Sequence, residues 1–366
     1  MIKDVCFTAE WLAHFKRQND HRRIDPIILE KMIYALHLLE RLKATGLDFI
    51  FKGGTSLVLL LHESHRFSID IDIICKEDQK NLEERLDRVV DRSRFVRWHL
   101  DEHRSYQPGV PKAHYVFSFT SNLRGSGTIV LDVLIEDSVY PALVEVPIKT
   151  KWIETENDVL VTVPTVDAIT GDKLTAFAPN TIGIPYFRGK DNQSFSMEII
   201  KQLFDLGKLF EEITDVEMVA RSFMAFAEQE ISYRKSVNPG PTLSPEQVLK
   251  DIIDTCGIIA KKGVGPNDEQ QKFAELQKGI KAFDFGYLMA GHFRLDDAVP
   301  VAARIAHLAA KLLVRDTSAI AYYRGQAIHD LNIEEPQWKA LNKLKRQPNG
   351  SSFYYWHHTV KLLKQS

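Results

Sequence analysis

The sequence predicts an α+β protein, with a mixed β-sheet and flanking helices over residues 1–165 and a mostly helical region over residues 166–366. Two observations predict it. Phe67–Ile73 alternates with period two, the mark of a half-buried strand, and Phe95–Leu100, His114–Thr120 and Thr128–Ile135 are further strand candidates. From about Val166 strand signals fade and apolar residues recur three and four apart, the spacing of one helix face. A length of 366 residues suits two domains, each large enough for its own core.

In chain order, Thr8 can cap a helix through Trp11, Leu12 and Phe15. After Pro26, the residues Ile28, Leu29, Met32, Ile33, Leu36, Leu39 and Leu42 line one face of a second helix, with Gly46 as its stop. Leu47–Phe51 is the first strand candidate, and Ser56–His62, apolar nearly all round, reads as a short buried helix. Leu82, Leu86, Val89 and Val90 return to helical spacing before the next strands. Helix periods then cover Asp167–Phe177, Phe195–Phe210, Val216–Glu230, Pro245–Ile259, Asp268–Phe283, Val299–Val314 and Thr317–Ile328.

The hydrophobic share of 44% and the 19 glycines are those of a globular chain, which excludes disorder, collagen and coiled coil as the main organisation. Charges nearly cancel, 47 Lys+Arg against 49 Asp+Glu for a net −2, which argues against wholesale coating of nucleic acid. Cys6, Cys75 and Cys256 are widely spaced with no CxxC, so neither a disulfide framework nor a zinc site is expected. The opening MIKDVCFTAEWLAHFKRQND lacks the apolar run of a signal peptide. No stretch approaches the roughly 18 apolar residues of a membrane span. The expectation is a soluble, cytoplasmic protein with no membrane partner.

The chemistry concentrates in KGGTSLVLLLHESHRFSIDIDI, Lys52 to Ile73. Gly53 and Gly54 at a strand-to-helix turn would let backbone N–H groups approach a phosphate at the positive end of a helix dipole, and Thr55 adds a hydroxyl there. Asp70 and Asp72 stand two apart on a predicted strand, so they share a face, with Ile69, Ile71 and Ile73 turned to the core. Two adjacent carboxylates repel unless a cation lies between them, and Mg²⁺ favours such hard oxygen ligands together with phosphate oxygens. Asp132 is the lone acid in the apolar run Thr128–Ile135, where a carboxylate is costly unless paired or bound to metal. Opposite Asp70 and Asp72 it would complete a three-carboxylate, two-metal site for in-line phosphoryl transfer.

Together these motifs resemble the nucleotidyltransferase fold of the DNA polymerase beta type. Lys-Gly-Gly-Thr-x-Leu with Arg66-Phe67-Ser68-x-Asp70-x-Asp72 is closer still to the AbiEii/AbiGii toxin family of nucleotidyltransferases. The family's Asp-x5-Lys-x2-Ala matches Asp167, Lys173 and Ala176. Its last motif, Arg-x3-(Lys/Arg)-Asp-x2-Asp, is matched by Lys201 and Asp205 but not by Met197 and Gln202. The intervening loop NTIGIPYFRGKDNQSF supplies Arg188 and Lys190 as candidate replacements for the missing arginine.

The resemblance implies a catalytic domain over residues 1–165 and a helical domain over 166–366 that contributes Lys173 and an acceptor-binding surface. It implies two Mg²⁺ ions on Asp70, Asp72 and Asp132, with Lys173 balancing charge on the triphosphate. Lys52, Gly53, Gly54, Thr55, Arg66, Ser68, Lys201 and Asp205 would bind the nucleotide. The implied reaction moves NMP from an NTP to an acceptor, RNA and specifically tRNA, in the toxin of a bacterial toxin–antitoxin or abortive-infection system with a cognate antitoxin protein. The alternatives are transfer to a small molecule or a protein, and a non-catalytic nucleotide- or partner-binding module.

Other clusters read more plainly. His62-Glu63-Ser64-His65 lacks zinc spacing. Arg85, Arg88, Arg92, Arg94 and Arg97 alternate with Asp87 and Asp91 as on a salt-bridged surface. Residues 336–366 hold no acid, while Lys339, Lys343, Lys345, Arg346, Lys361 and Lys364 accompany Trp338, Phe353, Tyr354, Tyr355 and Trp356. That tail is either a packed terminal helix or an RNA-binding segment whose rings stack on bases.

Overall fold

The computed structural model describes residues 1–17, 24–61, 66–105, 110–189, 191–237 and 243–365. The chain forms two compact units, one of Met1–Thr165 with Tyr287–Gly291, the other of Val166–Gly286 with His292–Ser366. The His62–His65 cluster and Lys190 lie outside the described residues.

In the first unit a 3-10 turn, Asp4–Phe7, leads to α1 (Ala9–Arg17) and α2 (Pro26–Ala44). Asp25 caps α2 by accepting from the Ile27 N–H, and Pro26 occupies the first turn, where a missing N–H costs nothing. Then come β1 (Ile50–Lys52), α3 (Gly53–Leu60), β2 (Ile71–Cys75), α4 (Gln79–Asp91), β3 (Phe95–Leu100), α5 (Glu102–Ser105), β4 (Lys112–Phe119), β5 (Gly127–Ile135), β6 (Leu143–Pro147) and β7 (Leu160–Pro164). The seven strands form one sheet in the order β3-β4-β5-β2-β1-β7-β6. The β2–β5 and β1–β7 pairs are parallel and the rest antiparallel, so the sheet is mixed, as the sequence predicts.

One face of this sheet is the core. Phe51, Ile71, Ile73, Tyr115, Phe117, Ile129, Leu131, Val133, Val161 and Val163 are buried together with Leu29, Met32, Ile33 and Leu36 of α2 and Leu82 and Leu86 of α4. Alternation then obliges the residues between them to face the other way. Lys52, Asp72, His114 and Asp132 therefore lie on the second face, where all four are partly exposed.

Three strand expectations need correction. The predicted strand Phe67–Ile73 begins only at Ile71, so Asp70 precedes it. β1 ends opposite Asp72 and turns at once into α3, which leaves residues 68–70 without a β1 residue to pair with. Phe67 instead donates its N–H to the Tyr287 carbonyl at 3.0 Å, and Arg66 bridges to Leu288. The first strand likewise runs over Ile50–Lys52 and not from Leu47. β6 and β7 went unread. β6 is an edge strand whose residues are nearly all exposed, so it carries no burial alternation to detect.

The second unit contains α6 (Val166–Ala176), a hairpin of β8 (Phe187–Arg188) and β9 (Gln193–Ser194), α7 (Ser196–Phe210), α8 (Val216–Val237), α9 (Pro245–Lys261), α10 (Asn267–Gly286), α11 (Leu295–Leu313), a 3-10 segment at Lys339–Arg346 and α12 (Ser351–Leu363). Thr317–Ile328 is not the helix its spacing predicts. Gly325 takes φ +89°, and Gln326 ties down the Arg324 N–H and the Tyr322 carbonyl. Ile320 and Ile328 are buried, and the Tyr322 hydroxyl reaches the carbonyls of Phe210 and Ile213, so the segment is an extended strap. Trp338, Phe353, Tyr354, Tyr355 and Trp356 are all buried. The tail is a packed terminal helix, and its rings are not offered to bases.

Candidate active site

At one level of the sheet, four polar residues stand side by side across four strands. Lys52 on β1 pairs with Asp72 on β2, Asp72 with Asp132 on β5, and Asp132 with His114 on β4. Residues in direct register point to the same face, and neighbouring strands are about 4.8 Å apart. Two carboxylates are thus held side by side between a lysine and a histidine. The Lys52 ammonium also lies 5.5 Å from the centre of the Tyr140 ring.

The glycine turn is shaped by this row. Gly53 begins α3 with φ +73°, and a Cβ there would lie 2.0 Å from an oxygen of Asp72. Only glycine meets both conditions. A Cβ at Gly54 would come within 2.4 Å of the Arg66 guanidinium and 3.0 Å of the Ser68 hydroxyl. The turn therefore packs directly on Asp72, Arg66 and Ser68, and it leaves the first N–H groups of α3 at the positive end of the helix.

Thr55 is fully buried, and its hydroxyl lies 2.6 Å from the Asp70 carbonyl, to which it donates, and 2.8 Å from the Ser68 hydroxyl. Its side chain ties the segment carrying Asp70 to the glycine turn. Arg66, also buried, donates to the Phe67 carbonyl at 3.0 Å. Asp70 is exposed just ahead of β2.

Asp132 carries two neighbours that sequence reasoning missed. One carboxylate oxygen meets His114 Nδ1, and the other lies 4.0 Å from Arg104. The signal for His114 was its place at the start of a predicted strand, which became informative only once β4 was known to pair with β5.

The second unit holds its own polar cluster. Lys173 on α6 is 5% exposed, and its Nζ lies 2.8 Å from Asp205 and 3.2 Å from the Gln202 amide oxygen, both on α7. Gln202 stands where the family motif has aspartate, and its amide oxygen still accepts from the lysine. Asp205 is buried and turns inward to Lys173, and Lys201 lies half-buried on the same helix. Asp167 accepts from the N–H and hydroxyl of Thr214 at 3.0 and 2.9 Å, anchoring α6 to the turn before α8. Arg188 is exposed, with its guanidinium over the Phe195 ring.

The donor set suits a hard cation, because Asp70, Asp72 and Asp132 offer only carboxylate oxygens. Register holds two of them close enough that a bound cation would relieve their repulsion. As the side chains lie, no group of three or more His, Cys, Asp or Glu among the described residues is arranged to hold a metal. Asp132 would have to offer the oxygen that faces Arg104. No helix among the described residues is long and apolar enough to cross a membrane.

No curated protein matches the sequence. Among solved structures, one match is an H. pylori protein classed as a nucleotidyltransferase, with 14% identity and a TM-score of 0.33 over 70% of this chain and 92% of that one. The family model described as "Nucleotidyl transferase AbiEii toxin, Type IV TA system" matches residues 37–277, about two-thirds of the chain. This span contains the glycine turn, all three carboxylates and the Lys173 cluster. The chain belongs to the AbiEii family of nucleotidyltransferase toxins of type IV toxin–antitoxin systems.

Proposed function

We propose that this nucleotidyltransferase moves an NMP from an NTP to a hydroxyl of RNA, with tRNA as the acceptor, and so acts as the growth-arresting toxin of its pair. The single observation that carries the reading is the row Lys52, Asp72, Asp132 and His114 beside the Gly53–Gly54 turn.

In this reading the first N–H groups of α3 receive the β- and γ-phosphates, since glycine lets the backbone come close and the helix dipole favours an anion. Arg66 and Ser68 sit against the same turn and complete the cradle. Asp70, Asp72 and Asp132 would hold two Mg²⁺ ions, which when bound would screen the phosphates and acidify the acceptor hydroxyl. The acceptor oxygen bonds to the α-phosphorus while the α–β anhydride bond breaks, pyrophosphate leaves, and the hydroxyl proton passes to solvent. In the same reading Lys173, whose ammonium Gln202 and Asp205 hold, would balance charge on the triphosphate; its match to the family motif supports this role.

The test is incubation of the full chain with each labelled NTP, Mg²⁺ and total tRNA. Label on RNA that is lost in Asp72→Asn and Asp132→Asn is expected. Transfer to protein or to a small molecule would overturn the choice of acceptor. No transfer with any NTP in Mg²⁺ or Mn²⁺ would overturn the enzymatic reading.

A further inference from the structure

We propose that His114 is a positioning residue for Asp132, occupying one carboxylate oxygen so that only the other is left for a ligand; the inference rests on the transfer reading above. His114 and Asp132 are direct cross-strand partners on β4 and β5, on the sheet face away from the core. Their side chains are 13% and 25% exposed, and His114 Nδ1 meets Asp132 Oδ1. A carboxylate can only accept, so Nδ1 carries the hydrogen.

The backbone that carries the imidazole is held from behind. The Ser105 hydroxyl accepts from the His114 N–H at 2.9 Å and donates to the Asp101 carbonyl at 2.7 Å. The Asp101 N–H donates to the His114 carbonyl at 2.8 Å. The turn through α5 therefore clamps the backbone of His114 on both sides. The same turn carries Arg104, 4.0 Å from the second oxygen of Asp132, a long and half-exposed approach that yields readily to a stronger ligand.

The consequence is directional. A carboxylate at the end of a short side chain turns about its last bond, and in doing so exchanges the oxygen it presents. A donor fixed to one oxygen stops that rotation, in the way partners behind metal ligands set ligand orientation. Asp132 would then offer one oxygen, always the same one, to whatever lies between it and Asp72.

The experiment exploits the fact that the amide nitrogen of asparagine falls near the place of Nδ1, whereas that of glutamine falls near Nε2. His114→Leu and His114→Gln should lower kcat for nucleotidyl transfer about 10- to 100-fold with little change in KM for NTP, and His114→Asn should recover most of the loss. Mn²⁺ binding without nucleotide, read by electron paramagnetic resonance, should weaken in His114→Leu and be restored in His114→Asn, with Asp132→Asn marking full loss. Unchanged kcat and Mn²⁺ affinity in His114→Leu would overturn the proposal, as would tighter Mn²⁺ binding or an Asn variant as impaired as the Leu one. If the unmodified chain transfers no nucleotide, the transfer reading fails by itself, and the Mn²⁺ series still decides whether His114 orients Asp132.

Discussion

Replacing Gly53 by alanine tests the packing of the glycine turn on the carboxylate row. The added Cβ would stand 2.0 Å from an oxygen of Asp72, whereas non-bonded carbon and oxygen rest about 3.3 Å apart even in close contact. The carboxylate must therefore swing by more than an ångström, out of its place beside Asp132. The backbone adds a second cost, because φ at this position is +73° and an L-residue there loses about 1–2 kcal/mol. Gly53→Ala should thus lower stability by about that amount and, through the displaced carboxylate, lower transfer activity roughly 100-fold. Urea denaturation reads the first number and labelled-NTP transfer the second. The variant should remain folded, since its stability cost is a fraction of the about 5–15 kcal/mol usual for a domain. A folded Gly53→Ala chain as active as the unmodified one would refute the claim that the glycine is there to admit Asp72.

Three further outcomes follow from the same geometry. Lys173→Met leaves the buried charge of Asp205 without its lysine and should cost about 3–5 kcal/mol; Lys173→Met with Asp205→Leu should recover most of the stability but none of the transfer, as separate denaturation and activity measurements would show. Thr55→Val removes the hydroxyl that lies 2.6 Å from the Asp70 carbonyl and should cost about 1 kcal/mol, measured by denaturant midpoint. Burial, with His358 and Lys311 nearby, pushes the His307 imidazole down to about 3, so an unfolded chain takes up that proton at higher pH than the folded one. Stability contributed by neutral His307 is complete above pH 6.5 and drains away as pH falls towards 3, at up to about 1.4 kcal/mol per pH unit; His307→Leu should flatten that slope in denaturation series between pH 6.5 and 4.5.

Local pattern made part of this molecule readable in advance. Alternation through Ile71–Ile73 turned Asp72 away from the core, because side-chain direction along a strand depends only on position, and Asp132 stood out as the lone acid of an apolar run. Helix-period spacing marked α2, α4 and most of α6 to α11, since each buries one stripe on its neighbours. The tail was ambiguous for a matching reason: rings such as Phe353 and Trp356 look alike in sequence whether they fill a core or wait for a base. Where apolar spacing survived without a helix, at Thr317–Ile328, the backbone was already claimed by Gln326 and by the left-handed turn at Gly325.

What the amino-acid order alone determined, then, was the three carboxylates and the glycine turn, and for Asp72 the face on which it sits. Only the tertiary structure decided which strands are neighbours and at what register, because pairing between residues 72 and 132, or 132 and 114, is a non-local contact that no short-range pattern encodes. That pairing set the two carboxylates side by side and put His114 against the second. The same holds for Thr55 turned inward to Asp70 and for Gln202 meeting Lys173 from another helix. Each depends on a packing partner distant in sequence, and such partners are chosen by burial of the whole core and not by the residues around them.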